Sequence, residues 1–226
     1  MAINIKNTKV MVVSQRGGGT CKVTLENVVL EQVARYKYLG SWITENARNE
    51  DEIKTRIALA KEAFWKNKEI MRRNIRPQTK MKILNSYVFS ILNYGCETWT
   101  WNEAMKKKVD AFEQWCYRRM LKISWKDRVT NVEVLTRLQT KMHFLNDMKR
   151  RKLEYAGHVL RGSSGETHLL LLEGKVNGKR PRARPRHTWI DDIAEWTEIE
   201  RYDQIKRTAE DRKRWKAITV NLLQRR

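Results

Sequence analysis

The segment Tyr36-Lys37-Tyr38-Leu39-Gly40-Ser41-Trp42-Ile43-Thr44 marks the point at which the pattern of the sequence changes. Aromatic and β-branched residues are concentrated in it, which favours a β-strand, and Gly40 is a place where the backbone can turn. Short strand-like runs precede this segment, whereas most of the sequence after it has the period of a helix. The sequence therefore predicts a mainly α-helical chain with a small antiparallel β region at its N-terminus.

The charge of the chain indicates the kind of partner that it binds. The formal net charge is +21 at pH 7, and a field of this size attracts phosphates. No stretch approaches the ~18 consecutive apolar residues of a membrane span. We therefore expect RNA, DNA or both as partner, and no membrane. The first residues lack the pattern of a signal peptide, so we expect an intracellular protein, nuclear or cytoplasmic, that is not secreted.

Cysteine and histidine give no indication of a special site. Cys21, Cys96 and Cys116 are widely spaced and form no Cys-x-x-Cys pair, so a disulfide framework is not expected. None of the histidines has zinc-finger spacing to a cysteine pair. The sequence therefore predicts no metal site.

The helical part begins at Asn49, which is predicted to cap a helix together with Glu52. One face of this helix is apolar. Beside it, Lys54, Lys61 and Lys68 recur every seven residues, and Arg72 continues the row. A solvated surface with helical ion pairs is one interpretation. In a chain of this charge we favour the other, a surface that follows a nucleic-acid backbone. Further helices are predicted, among them one from Glu103 to Ser124 and a last one from Asp203 to Leu223.

The segment from Tyr36 to Thr44 resembles the primer grip of the reverse transcriptases of non-LTR (LINE-type) retrotransposons. Residues 3–11 resemble the last palm motif of these enzymes, and further similar motifs lie at residues 94–99, 123–131, 155–161 and 178–193. The resemblance implies a primer grip formed by Tyr38, Leu39, Gly40 and Trp42. It also implies that the helices after it form a thumb that contacts template and primer.

The resemblance also concerns catalysis. Complete polymerases of this kind hold Mg²⁺ with two adjacent aspartates that follow an aromatic residue and Ala. In this sequence the only Asp-Asp pair is Asp191-Asp192, in a predicted helix, where neighbouring side chains point about 100° apart. The resemblance therefore implies a C-terminal portion of the polymerase with no catalytic residue and no cofactor of its own. We do not expect it to polymerise alone.

A basic segment near the C-terminus contains two prolines and no acidic residue from Gly178 to Trp189. The prolines oppose a helix, so the segment is expected to be extended. Arginine suits phosphate because its planar guanidinium donates in a fork. We favour nucleic-acid contact, and a nuclear-localisation signal and a basic linker are the alternatives. The cations concerned are Lys179, Arg180, Arg182, Arg184 and Arg186.

These features predict four segments: a β region of palm and primer grip at residues 1–46, a helical thumb at 47–128, a helical hairpin at 129–162 and a basic segment with two helices at 163–226. The predicted function is binding of template and primer through the nucleic-acid backbone. A domesticated DNA-binding protein derived from a retrotransposon and a non-functional relic are the alternatives. The sequence leaves open the choice between RNA and DNA.

Overall fold

The computed structural model describes residues 3–14, 19–163, 165–174 and 186–221. It confirms a mainly helical chain with a few short strands near the N-terminus. The chain divides into two compact units, Met1–Leu59 and Ala60–Arg226, and each is described by itself. The four predicted segments stay a prediction.

The first unit contains short strands. They are β1 (Lys9–Val10), β2 (Thr24–Leu25), β3 (Val28–Val29), β4 (Glu31–Gln32), β5 (Arg35–Tyr38) and β6 (Ser41–Thr44). Within the described residues they form three two-stranded sheets, of which β2–β3 and β5–β6 are antiparallel. The pair β1–β4 is parallel, contrary to the prediction of one antiparallel sheet. Ladders of two residues are too short to join into one sheet, because each strand offers few hydrogen bonds to a second neighbour.

The helices are α1 (Glu50–Lys66), α2 (Lys68–Arg72), α3 (Pro77–Ile83), α4 (Ser90–Leu92), α5 (Glu103–Met120), α6 (Asn131–Leu138), α7 (Phe144–Leu160), α8 (Glu166–Glu173), α9 (Trp189–Thr197), α10 (Tyr202–Glu210) and α11 (Arg212–Asn221). A π-helical turn, Leu84–Phe89, joins α3 to α4. Within the described ranges, no helix is both long and apolar enough to cross a membrane.

Two predicted helices end earlier than their apolar period indicates. Helix α5 stops at Met120, and Lys122 then has a left-handed φ of 60°, which a helix does not accommodate. The predicted last helix is divided at Asp211, whose carboxylate accepts hydrogen bonds from the N–H groups of Lys213 (2.9 Å) and Arg214 (3.1 Å). These are the free donors at a helix start, so Asp211 begins a new helix instead of continuing the old one.

The second unit has an aromatic core around α5 and α7. The rings of Phe89 and Phe144 lie 4.6 Å apart, and Phe112 and Tyr117 of α5 pack against Phe89. Helix α11 closes on α7 at Gly157, where an added Cβ would lie 2.6 Å from Nε1 of Trp215. Glycine is therefore needed at this position for close packing.

Candidate nucleic-acid interface

A cavity of about 440 Å³ lies in the second unit, between the end of α1, α2, the end of α5 and the turn that follows α5. Its lining combines aromatic and cationic side chains. It consists of Phe64, Trp65, Lys68, Met71, Arg72, Trp115, Arg118, Arg119, Lys122, Ile123, Ser124 and Trp125. We call this cavity the Trp groove.

Cations in the Trp groove lack acidic neighbours. No Asp or Glu is among the lining residues, and within the described ranges Lys68, Arg72, Arg119 and Lys122 form no ion pair. Several cations on other surfaces form ion pairs. The Lys66 ammonium, for instance, lies 2.8 Å from the Glu62 carboxylate. The groove therefore keeps a local positive charge that a surface of helical ion pairs would neutralise.

Indole rings form one side of the Trp groove. Trp65 of α1 meets Trp115 of α5 edge to face, with ring centroids 5.8 Å apart. The guanidinium of Arg119 lies 5.0 Å from the Trp65 ring and 5.3 Å from the Trp115 ring, which is the range of cation–π contact. Lys68 contacts the Trp65 ring at 5.7 Å, and Lys61 contacts the Trp115 ring at 5.5 Å. The rings thus hold the cations in place without neutralising them.

Trp125 stands at the rim of the Trp groove with 81% of its surface exposed. Its turn is fixed at both ends. The Ser124 N–H donates to the Asp127 carboxylate at 2.6 Å. Arg118 donates to the carbonyl oxygen of Val129 at 2.8 Å and to that of Ser124 at 3.3 Å. A large apolar ring is therefore exposed on a turn whose backbone is well bonded.

Of the predicted backbone-binding residues, Lys68 and Arg72 line the Trp groove, and Lys61 contacts the Trp115 ring from outside its lining. Lys54 belongs to the first unit, where its ammonium lies 3.4 Å from Asp51.

The sequence prediction missed the α5 half of the Trp groove. Its members are Trp115, Arg119, Lys122 and Trp125. A signal was present, because an indole followed by cations three to seven residues later occurs in both α1–α2 and α5: Trp65, Lys68, Arg72 and Trp115, Arg119, Lys122.

In the first unit, the predicted primer-grip residues form a tight hairpin. Leu39 and Gly40 link β5 to β6 with φ angles of 45° and 84°, the left-handed values of a type I′ turn. Tyr38 and Leu39 are exposed, and Trp42 is half-buried with the guanidinium of Arg35 4.9 Å from its ring. The hairpin thus presents Tyr38 and Leu39 to solvent.

A buried ion pair holds this hairpin in place. Arg56 donates to the Gly40 carbonyl oxygen at 2.7 Å and to the Glu52 carboxylate at 2.6 Å. The other oxygen of Glu52 accepts the Trp42 N–H at 2.6 Å. Helix α1 begins directly after Asn49, and both carboxylate oxygens of Glu52 bind groups other than the Asn49 backbone.

The basic segment is only partly described. Lys179, Arg180, Arg182 and Arg184 lie outside the described residues, and Arg186 is exposed. The residues after it are anchored. The Thr188 N–H donates to Asp191 at 2.7 Å at the start of α9, and the Trp189 Nε1–H donates to the Glu97 carbonyl oxygen at 2.8 Å.

Asp192 points away from Asp191 and enters a buried network. Its carboxylate binds the fully buried Lys152 ammonium and accepts the Trp101 N–H at 3.0 Å. Lys152 also donates to the Trp99 carbonyl oxygen at 2.7 Å. Burial lowers the pKa of Lys152 to about 8, and the neighbouring Asp192 opposes that shift.

Potential metal ligands also meet here. His187, Asp192 and Glu195 place ligand atoms within 4.8 Å of one another. However, Asp192 already binds Lys152, and Lys106 lies 3.4 Å from Glu195. A metal ion would have to compete with two ammonium groups, so these residues are better described as a structural network.

Comparison with known proteins indicates the origin of the chain. It is 29% identical over 201 residues to a Caenorhabditis elegans protein described as transposon-derived and uncharacterized, covering 84% of this chain and 71% of that protein. No family model and no solved structure matches the chain. The similarity supports a transposon-related origin.

Proposed function

We propose that this chain is the C-terminal portion of a non-LTR retrotransposon reverse transcriptase and that it binds template and primer through the nucleic-acid backbone. The observation that carries the proposal is the Trp groove, with cations that no described carboxylate neutralises. The transposon-derived relative supports the origin. The exposed Tyr38-Leu39-Gly40 turn is compatible with a primer grip.

The chemistry of the Trp groove suits phosphate. Arg72 and Arg119 offer forked donors, and Lys68 and Lys122 offer compact point charges. Phosphates carry no base information, so such contacts fix the position of a duplex without reading its sequence. Each neutralised phosphate releases bound counterions, which makes the affinity fall steeply as salt increases.

The Asp191-Asp192 pair does not offer the metal site of a polymerase. Asp191 is bonded to Thr188 at the start of α9, and Asp192 is paired with Lys152 inside the protein. We therefore assign this chain binding, and not nucleotide transfer.

Fluorescence anisotropy with an RNA–DNA hybrid, duplex DNA and single strands, across a range of salt concentrations, tests this function. A variant with Gln at Lys68, Arg72, Arg119 and Lys122 should bind less tightly. The plot of log affinity against log salt should become less steep. The magnitude of its slope should decrease by about 3–4, since each phosphate contact contributes roughly 0.9.

A matched control removes the same charge from cations that already have acidic partners. It carries Gln at Lys66, Arg137, Arg150 and Arg201, which pair with Glu62, Glu133, Glu154 and Asp203. The control should keep most of the salt slope. An equal loss in both variants, or no binding by a folded protein, would overturn the proposal. Tight binding to one duplex sequence would favour a domesticated DNA-binding protein instead.

A further inference from the structure

We propose that the Trp groove captures an unpaired nucleobase, so that the preferred ligand is a duplex with a single-stranded overhang. This inference rests on the proposed function and adds a second kind of contact to it. In this arrangement the phosphates of the strand bind the groove cations. One unpaired base of the same strand stacks on Trp125 and occupies the space beside Trp65.

The first observation is the position of Trp125. An indole with 81% of its surface in water gains little in the folded chain alone, yet its turn is held by Asp127 and by Arg118. A turn whose backbone is already ordered need not be ordered on binding, which reduces the entropy lost when a flat partner stacks on its indole. Base stacking on aromatic side chains is the usual device of proteins that bind single strands.

The second observation is the concave shape. Phosphate contacts need only a charged surface, whereas the Trp groove encloses about 440 Å³, within the range of pockets that hold small molecules. Base pairs inside a duplex are stacked and cannot enter such a space. An unpaired base can, and the adjoining phosphates then lie near Lys68, Arg119 and Lys122.

The third observation concerns base selectivity. Among the described lining residues there is no Asp, Glu, Asn or Gln, the side chains that pair with the edges of cytosine and adenine. The Ser124 carbonyl oxygen and that of Val129 already accept from Arg118. Stacking tolerates every base because each has a π face, so the groove should hold any unpaired base of RNA or DNA.

An exposed tryptophan could also mark a contact with another protein. The cations that line the groove favour a nucleic acid. A positive surface without acidic lining residues attracts a polyanion more strongly than it attracts an ordinary protein surface. Capture of a protein by this surface is therefore an outcome that would overturn the proposal.

The test uses the whole chain and oligonucleotides with the same duplex. One duplex is blunt, one has an overhang of three nucleotides, and one has the same overhang without bases, each made with an RNA or a DNA overhang. We expect the normal overhang to bind roughly 5- to 100-fold more tightly than the abasic overhang, as stacking contributions of other proteins indicate.

Trp125→Ala should remove this preference, so that the normal and the abasic overhang bind with equal affinity. Trp125→Phe, which keeps an aromatic face, should retain part of it. Tyr87→Ala is the matched control, because Tyr87 is also an exposed aromatic residue, at 60%, and does not line the Trp groove. The Tyr87→Ala variant should prefer the normal overhang over the abasic overhang as strongly as the unmodified chain does.

Equal affinity for normal and abasic overhangs would overturn base capture, as would a loss in Trp125→Ala that is the same for blunt and overhanging duplexes. Neither result affects the proposed backbone binding, which is judged by the salt slope of the blunt duplex. If the blunt duplex does not bind in a salt-dependent manner, the proposed function fails, and a base-dependent affinity for overhangs would still support the capture site.

Discussion

Removal of one partner from the buried Lys152–Asp192 pair should strongly destabilise the second unit. Both residues have no exposed surface, and Lys152 also lies 5.2 Å and 5.3 Å from the rings of Trp189 and Trp196. Lys152→Met keeps much of the side-chain length but leaves Asp192 with only His187 and the Trp101 N–H among its described partners. A buried carboxylate without its cation is costly.

The expected loss can be bounded. Removal of one partner of a buried ion pair costs about 3–5 kcal/mol of the free energy of unfolding. For a protein of this size, 1 kcal/mol shifts the melting temperature by roughly 2–4 °C, so Tm should fall by about 6–20 °C. Urea unfolding followed by circular dichroism, with a thermal melt beside it, measures both quantities.

A double variant separates the charge from the packing. Lys152→Met with Asp192→Leu leaves no buried charge without its partner and should recover part of the loss. The recovery should be incomplete, because the Trp101 N–H and the Trp99 carbonyl oxygen still lose their hydrogen bonds. Lys66→Met breaks an exposed pair and should cost no more than about 1 kcal/mol. A single Lys152→Met that is as stable as the unmodified chain would refute the reasoning.

Two further changes test other parts of the second unit. Gly157→Ala should destabilise it by about 1–3 kcal/mol in urea unfolding despite the better helix propensity of Ala, because the new Cβ would lie 2.6 Å from Trp215; a neutral result would show that α7 and α11 can separate. Burial raises the pKa of Glu113 above its ordinary value of 4.5, so the folded chain keeps this proton to a higher pH than the unfolded chain does. The unmodified protein should therefore lose stability relative to Glu113→Gln as pH rises from about 4 through the folded pKa, in unfolding measured at several pH values, and a difference independent of pH would contradict this.

Two helix starts in the structure coincide with local signals in the sequence. Pro77 begins α3, and Thr130 caps α6 by accepting the Glu133 N–H at 3.2 Å. These signals work because they depend on neighbouring backbone groups only. The local pattern does not reveal that Glu52 also binds Arg56 and the N–H of Trp42, a residue ten positions away.

The Trp groove shows the same limit on a larger scale. Periodicity places Trp65 and Lys68 on adjacent turns of one helical region, and Trp115 and Arg119 on one face of another. It does not say that the two regions pack together, since that depends on long-range contacts. Half of the candidate site was therefore predicted from the row of cations, and the other half required the structure.

The motifs that resemble retrotransposon sequences have different roles in the second unit. Segments 94–99 and 187–193 meet in the interior, where Glu97 binds Arg151 and Trp189, and Asp192 binds Lys152. Segment 123–131 instead forms the turn that exposes Trp125. A motif with this resemblance can therefore serve either the fold or a surface. In this chain the exposed turn is the motif whose alteration should change binding while stability is retained.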